Sequence, residues 1–181
     1  MKLFLTVSIL IAGLVSGRCH AQMAAASPVA WDLDHTITVA VERDSVWTLL
    51  KDYSLVTKLS DGFVLSIANK DNIMPILREV TFKDGTKREE HLTQVEEQHR
   101  FLVYDVRGAA MPKGITEVSC AVFVREKGDD AAVVNWKVIV KGDKEAKKLY
   151  LPHWKAEIEA YGKGVSEYLA PKAKAIPATR M

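Results

Sequence analysis

A chain of 181 residues, 48% hydrophobic and 27% charged, suits one soluble globular domain. Its formal charge of +2 disappears once an N-terminal leader is set aside, because Lys2 and Arg18 go with it and leave 23 basic residues against 23 acidic ones. That balance argues against a nucleic-acid binder, which carries a basic surplus on one face.

The leader comes first. Lys2 supplies a short positive start, Leu3 to Val15 is an almost unbroken apolar run, and Cys19-His20-Ala21 offers a small-x-small cleavage site. Residues 1–21 therefore read as a secretory signal peptide, too short for a stable membrane span, and place the mature protein in the periplasm or outside a bacterial cell. A lipid anchor on Cys19 is the rival, disfavoured by Arg18 directly before it. The mature chain keeps one cysteine, Cys120, so no intramolecular disulfide can form. Its setting, VSCAVFV, is that of a buried, inert thiol. No later apolar run is long enough to span a bilayer.

Residues 22–30 are small and Ala-rich, a flexible arm. Trp31 to Glu42 alternates, with Leu33, His35, Ile37, Val39 and Val41 on one side of a half-buried strand. SVWTLLKDY then reads as a short helix with Asp44 as its N-cap, and Leu55 to Leu59 as one more helical turn before Ser60-Asp61-Gly62. Strands follow at 63–68 and 73–82, with Asn69 to Asn72 as the turn between them. Lys83-Asp84-Gly85 is a hairpin signal, because Asp-Gly readily takes the positive φ of a tight turn. Further strands are expected at 88–95, 101–107, 115–125 and 132–140, with GAAMPKG as a loop and Lys141 to Lys148 as a charged, solvated connector.

The last element is a long helix from Pro152 to Leu169. Its apolar residues Leu151, Trp154, Ile158, Tyr161, Val165 and Tyr168/Leu169 recur at gaps of three and four, which makes one aromatic-rich stripe. Exposed, that stripe would leave a Trp and two Tyr hydrated, so the helix needs a concave partner. Strands bracketed by helices indicate an α+β domain over residues 31–170 rather than βαβ winding, with a disordered tail at 171–181.

ITVAVERDSVWTLLKDYSLV, REVTFKDGTKREEHLTQVEE, the YDV at Tyr104, VVNWKVIV around Trp136 and the terminal AYGKGVSEYL together resemble the START-like or SRPBCC superfamily of helix-grip proteins. The resemblance covers Leu33 to Leu169. It implies a curved antiparallel sheet wrapped around the C-terminal helix, with an elongated cavity between them, as in polyketide cyclases, lipid-transfer domains and plant ligand binders. The superfamily has no shared catalytic motif, so no catalytic residue follows from it. The chain also resembles small periplasmic members, some of them accessories to methanol-oxidising enzymes.

Period two in the strands places Arg78 with Val80 and Phe82, and Arg88 with Glu90 and Leu92, so Arg78 and Glu90 could pair inside. A buried carboxylate needs such a partner. The pair is either a polar anchor for a ligand or a structural ion pair, and the structural reading is favoured. Tyr104, Trp136, Trp154, Ile158 and Tyr161 join Arg78, Glu90 and Leu92 as candidate cavity residues. The histidines show no metal spacing, and neither a metal nor another cofactor is expected. The leading expectation is a carrier or sensor of a small hydrophobic molecule. The alternatives are a partner protein docking on a periplasmic redox enzyme, and a cyclase or dehydratase using Glu90, His91 or Tyr104 as acid or base.

Overall fold

The computed structural model describes residues 29–106 and 111–174. The expected signal peptide, most of the arm, part of the GAAMPKG loop and residues 175–181 lie outside them. Strand β1 (Leu33–Val39) leads into α1 (Arg43–Leu50), a 3₁₀ turn (Tyr53–Leu55) and the single-turn helix α2 (Val56–Leu59). Six strands follow: β2 (Val64–Asn69), β3 (Ile76–Phe82), β4 (Lys87–Glu96), β5 (Phe101–Val106), β6 (Ile115–Glu126) and β7 (Ala132–Gly142). Helix α3 (Lys144–Lys174) is the last element of the described residues.

All seven strands form one antiparallel sheet in the order β1-β7-β6-β5-β4-β3-β2. Consecutive hairpins build the run from β2 to β7, and β1 returns to pair with β7, with Leu33 opposite Val138 and Val39 opposite Ala132. Alternation along β3 to β7 buries one face of each strand, and α3 lays Trp154, Ile158, Val165 and Leu169 into the same core. This is the α+β helix-grip architecture. No helix among the described residues is long and apolar enough to cross a membrane.

Three local expectations change. Asp44 does not cap α1; Glu42 takes the N-cap position, and its carboxylate accepts from the Ser45 hydroxyl rather than from a backbone amide. The Asp44 carboxylate instead accepts from Arg43 and Arg100, two guanidinium donors that outcompete a backbone amide. Strand β3 starts at Ile76 rather than residue 73, because Pro75 has no amide to donate to the ladder. Finally, α3 begins at Lys144, so most of the charged connector forms its first turns, and Pro152 lies within the helix. At its other end the helix reaches Lys174, into the stretch expected as a tail.

Two glycines explain the AYGKGVSEYL signature. A Cβ on Gly164 would lie 2.3 Å from the Leu59 carbonyl oxygen, and one on Gly162 would lie 2.4 Å from Nε2 of His35. Bare backbone at these positions lets α3 seat against α2 and β1 together.

Candidate functional site

Beneath the middle of α3 the sheet carries charge where a core normally carries methyls. Arg78 faces Glu90 across β3 and β4, and its Nε donates to Glu90 Oε2 at 2.7 Å. Arg88 donates from Nε to Glu90 Oε1 at 3.0 Å, so Glu90 bridges two guanidinium groups. The other side of Arg88 makes a two-pronged bond to Glu157 of α3, at 2.7 Å to Oε2 and 2.6 Å to Oε1. All four side chains are buried. Two positive and two negative charges cancel, which is the condition under which a low-dielectric interior tolerates them.

Aromatic rings complete the enclosure. Arg78 Cζ lies 4.8 Å from the ring centres of both Tyr53 and Tyr104. Arg88 Cζ lies 4.2 Å from Trp154 and 4.7 Å from Phe82. Each guanidinium thus meets two π-faces, which favour the cation where water is excluded. Burial works to raise the Glu90 pKa, yet Arg78 and Arg88 more than offset it and hold the group below its ordinary value. The same carboxylates hold Arg88 well above its ordinary value against the opposing effect of burial. Burial pushes Tyr53 up to about 12 and Tyr104 and Tyr161 well above 10, so all three hydroxyls stay protonated.

Beside this cluster lies a pocket of about 40 Å³, lined by apolar side chains of α1, α2, β5 and β6, by Tyr53, Tyr104, Tyr161 and Trp136, and by Arg78. Two of its lining residues carry buried polar atoms without a protein partner, Arg78 Nη1 and Tyr53 Oη. Nε and Nη2 of Arg78 are both engaged by Glu90, which leaves Nη1 on the opposite edge of the guanidinium.

Of the eight residues singled out from sequence, the pocket brings together Arg78, Tyr104, Trp136 and Tyr161. Glu90, Leu92, Trp154 and Ile158 are buried outside its lining, in the ion cluster and the surrounding core. Of the three alternatives for an acid or base, Tyr104 alone lines the pocket; both oxygens of Glu90 are occupied by arginine donors, and His91 alternates to the other face, 3.4 Å from Glu89. Tyr104 lies opposite Cys120, whose thiol burial pushes up to about 12. Arg88, Glu157 and Tyr53 escaped the sequence reading as site residues. For Arg88 a signal existed, since it shares the buried face of β4 with Glu90 and Leu92.

No family model matches the chain, and no curated protein matches it. Solved structures do. Norcoclaurine synthase from Thalictrum flavum, in complex with dopamine and hydroxybenzaldehyde, superposes with a TM-score of 0.66 at 18% identity, over 77% of this chain and 86% of that one. The protein XoxI from Bacillus cereus gives 0.59 at 16% identity, over 74% and 94%. The di-domain ARO/CYC BexL gives 0.66 at 9% identity over 76% of this chain, which spans 46% of that longer protein. Identities this low establish a shared fold and carry no activity across.

Proposed function

On this START-like (SRPBCC) helix-grip fold, we propose that the protein is an exported binder of a small, mostly apolar molecule, held between the sheet and α3. The observation that carries the reading is the pocket itself: apolar walls with an unpaired donor of a buried arginine among them. A buried guanidinium nitrogen left unsatisfied costs about 1–3 kcal/mol or more, so an acceptor arriving there is favoured by that amount. At about 40 Å³ the pocket admits one functional group rather than a whole ligand. Binding therefore requires α2 (Val56–Leu59), a single helical turn, to move outward while Tyr53 stays stacked on Arg78.

The deciding measurement is native mass spectrometry of protein freshly recovered from its exported state. The expected result is an added small-molecule mass that leaves on denaturation, on a chain beginning near Gln22. A retained Met1 or a lipid on Cys19 would refute export by this route. Protein that arrives ligand-free and binds no apolar probe would refute the binding reading. The docking reading would then lead, and the small pocket volume favours it as the second choice.

A further inference from the structure

We propose that the pocket selects a ligand bearing a neutral carbonyl oxygen, received jointly by Arg78 Nη1 and the Tyr53 hydroxyl, and that it discriminates against carboxylates. This rests on the binding reading above and names the ligand class for the same pocket.

Both orphan atoms can act as donors. Nη1 has no lone pair to offer, and the Tyr53 hydroxyl keeps its proton through the physiological range. An acceptor is therefore what the site lacks. A pure hydrocarbon would leave both donors unpaired, and an ammonium group would meet the Arg78 cation. A carboxylate could pair with Arg78, but that guanidinium already neutralises Glu90 through Nε and Nη2. The cluster of Arg78, Arg88, Glu90 and Glu157 balances to zero, so a second anion on Arg78 would be an excess buried charge close to Glu90. A ketone, aldehyde, quinone or amide oxygen has two lone pairs for two donors and adds no charge.

The packing supports the assignment. The Tyr53 ring lies 4.8 Å from Arg78 Cζ, so the residues carrying the two donors are stacked against each other. Stacking between Tyr53 and Tyr104 restricts the guanidinium plane, and with it the direction of Nη1. Once α2 moves outward, the remaining walls, including Leu50, Leu102, Val122 and Trp136, offer apolar surface to a flat body behind the carbonyl.

Three probes with one naphthalene body separate the possibilities: 2-acetylnaphthalene, 2-naphthoate and 2-ethylnaphthalene. Each is titrated at neutral pH into the mature protein and into Tyr53→Phe, with the Leu50, Val56 and Leu102 methyl resonances reporting occupancy. The ketone is expected to bind roughly tenfold more tightly than either other probe, the worth of satisfying a charged donor. Tyr53→Phe should reduce ketone affinity about threefold to tenfold, leave the hydrocarbon unchanged, and keep or raise thermal stability, because it removes a hydroxyl that has no partner. A carboxylate that binds as tightly as the ketone overturns the selectivity while leaving the pocket a binding site. A Tyr53→Phe protein that keeps the full ketone preference overturns the role of Tyr53. If none of the three probes binds, the pocket-binding reading falls, and the ligand class falls with it.

Discussion

Glu90 decides the electrostatics of the interior, because it lies between Arg78 and Arg88 and gives each of them one oxygen. Replacing it by Gln leaves two buried guanidinium groups with only Glu157 to balance them, and should lower stability by about 3–5 kcal/mol in denaturant unfolding. The pH dependence has a definite sign. The folded pKa of Glu90 lies below the ordinary 4.5, so its contribution is complete above that value and is lost as pH falls through the lower, folded pKa. The stability gap between wild type and Glu90→Gln should therefore shrink on acidification. A gap that stayed constant would show that folding leaves the Glu90 pKa unshifted, and one that widened would show that the fold holds the group neutral. The Arg78–Glu90 pair was legible from strand alternation. Glu157 was not, because it sits next to Ile158 in an otherwise apolar stripe, and only Arg88, 69 residues earlier, explains it. Tyr53 was hidden too, since a three-residue turn has no periodicity to read.

The strands and the gripping helix announce themselves at the scale of elements, while their ends do not. Alternation places the five strands from β3 to β7 to within a few residues, because each buries one face over six residues or more, whereas β2 at the sheet edge buries only Val64. The start of α3 was misplaced because Lys144 to Lys148 carries no apolar face, and helical turns there form by continuation from the packed part. Packing outweighs propensity at the two helix positions that matter most. Gly164→Ala should gain up to about 1 kcal/mol in helix propensity, yet its methyl would meet the Leu59 carbonyl at 2.3 Å. Backbone cannot swing aside like a side chain, so the expected outcome is a net loss of about 1–3 kcal/mol. A raised melting temperature would mean that α2 yields easily. Trp154→Ala should cost about 3–5 kcal/mol, since its indole is wholly buried and stacks on Arg88. An unchanged denaturant midpoint would contradict that packing.

The whole molecule can be divided by charge into a fastening and an anchor. Arg88 and Glu157 tie β4 to α3 through two parallel bonds, whereas Arg78 and Glu90 pair within the sheet and put Arg78 at the pocket. Each pair is neutral alone, so the first can be removed without leaving net charge behind. Arg88→Met should cost about 3–5 kcal/mol because it strands Glu157, and Glu157→Met should cost a similar amount because it leaves Arg88 in excess. The double variant replaces both with side chains that pack against Trp154 and Phe82, and should recover most of that loss or exceed the wild type. A double-mutant cycle on unfolding free energies measures the recovery, and losses that simply add would show that the two groups are not coupled. Ligand binding supplies the second axis of the test. The double variant keeps Arg78, Glu90 and Tyr53, so it should bind the same apolar probe as the wild type if the fastening and the anchor are separate. Loss of binding in a variant that folds as stably as the wild type would instead place Arg88 or Glu157 in the binding site, and the four charges would then form a single functional unit.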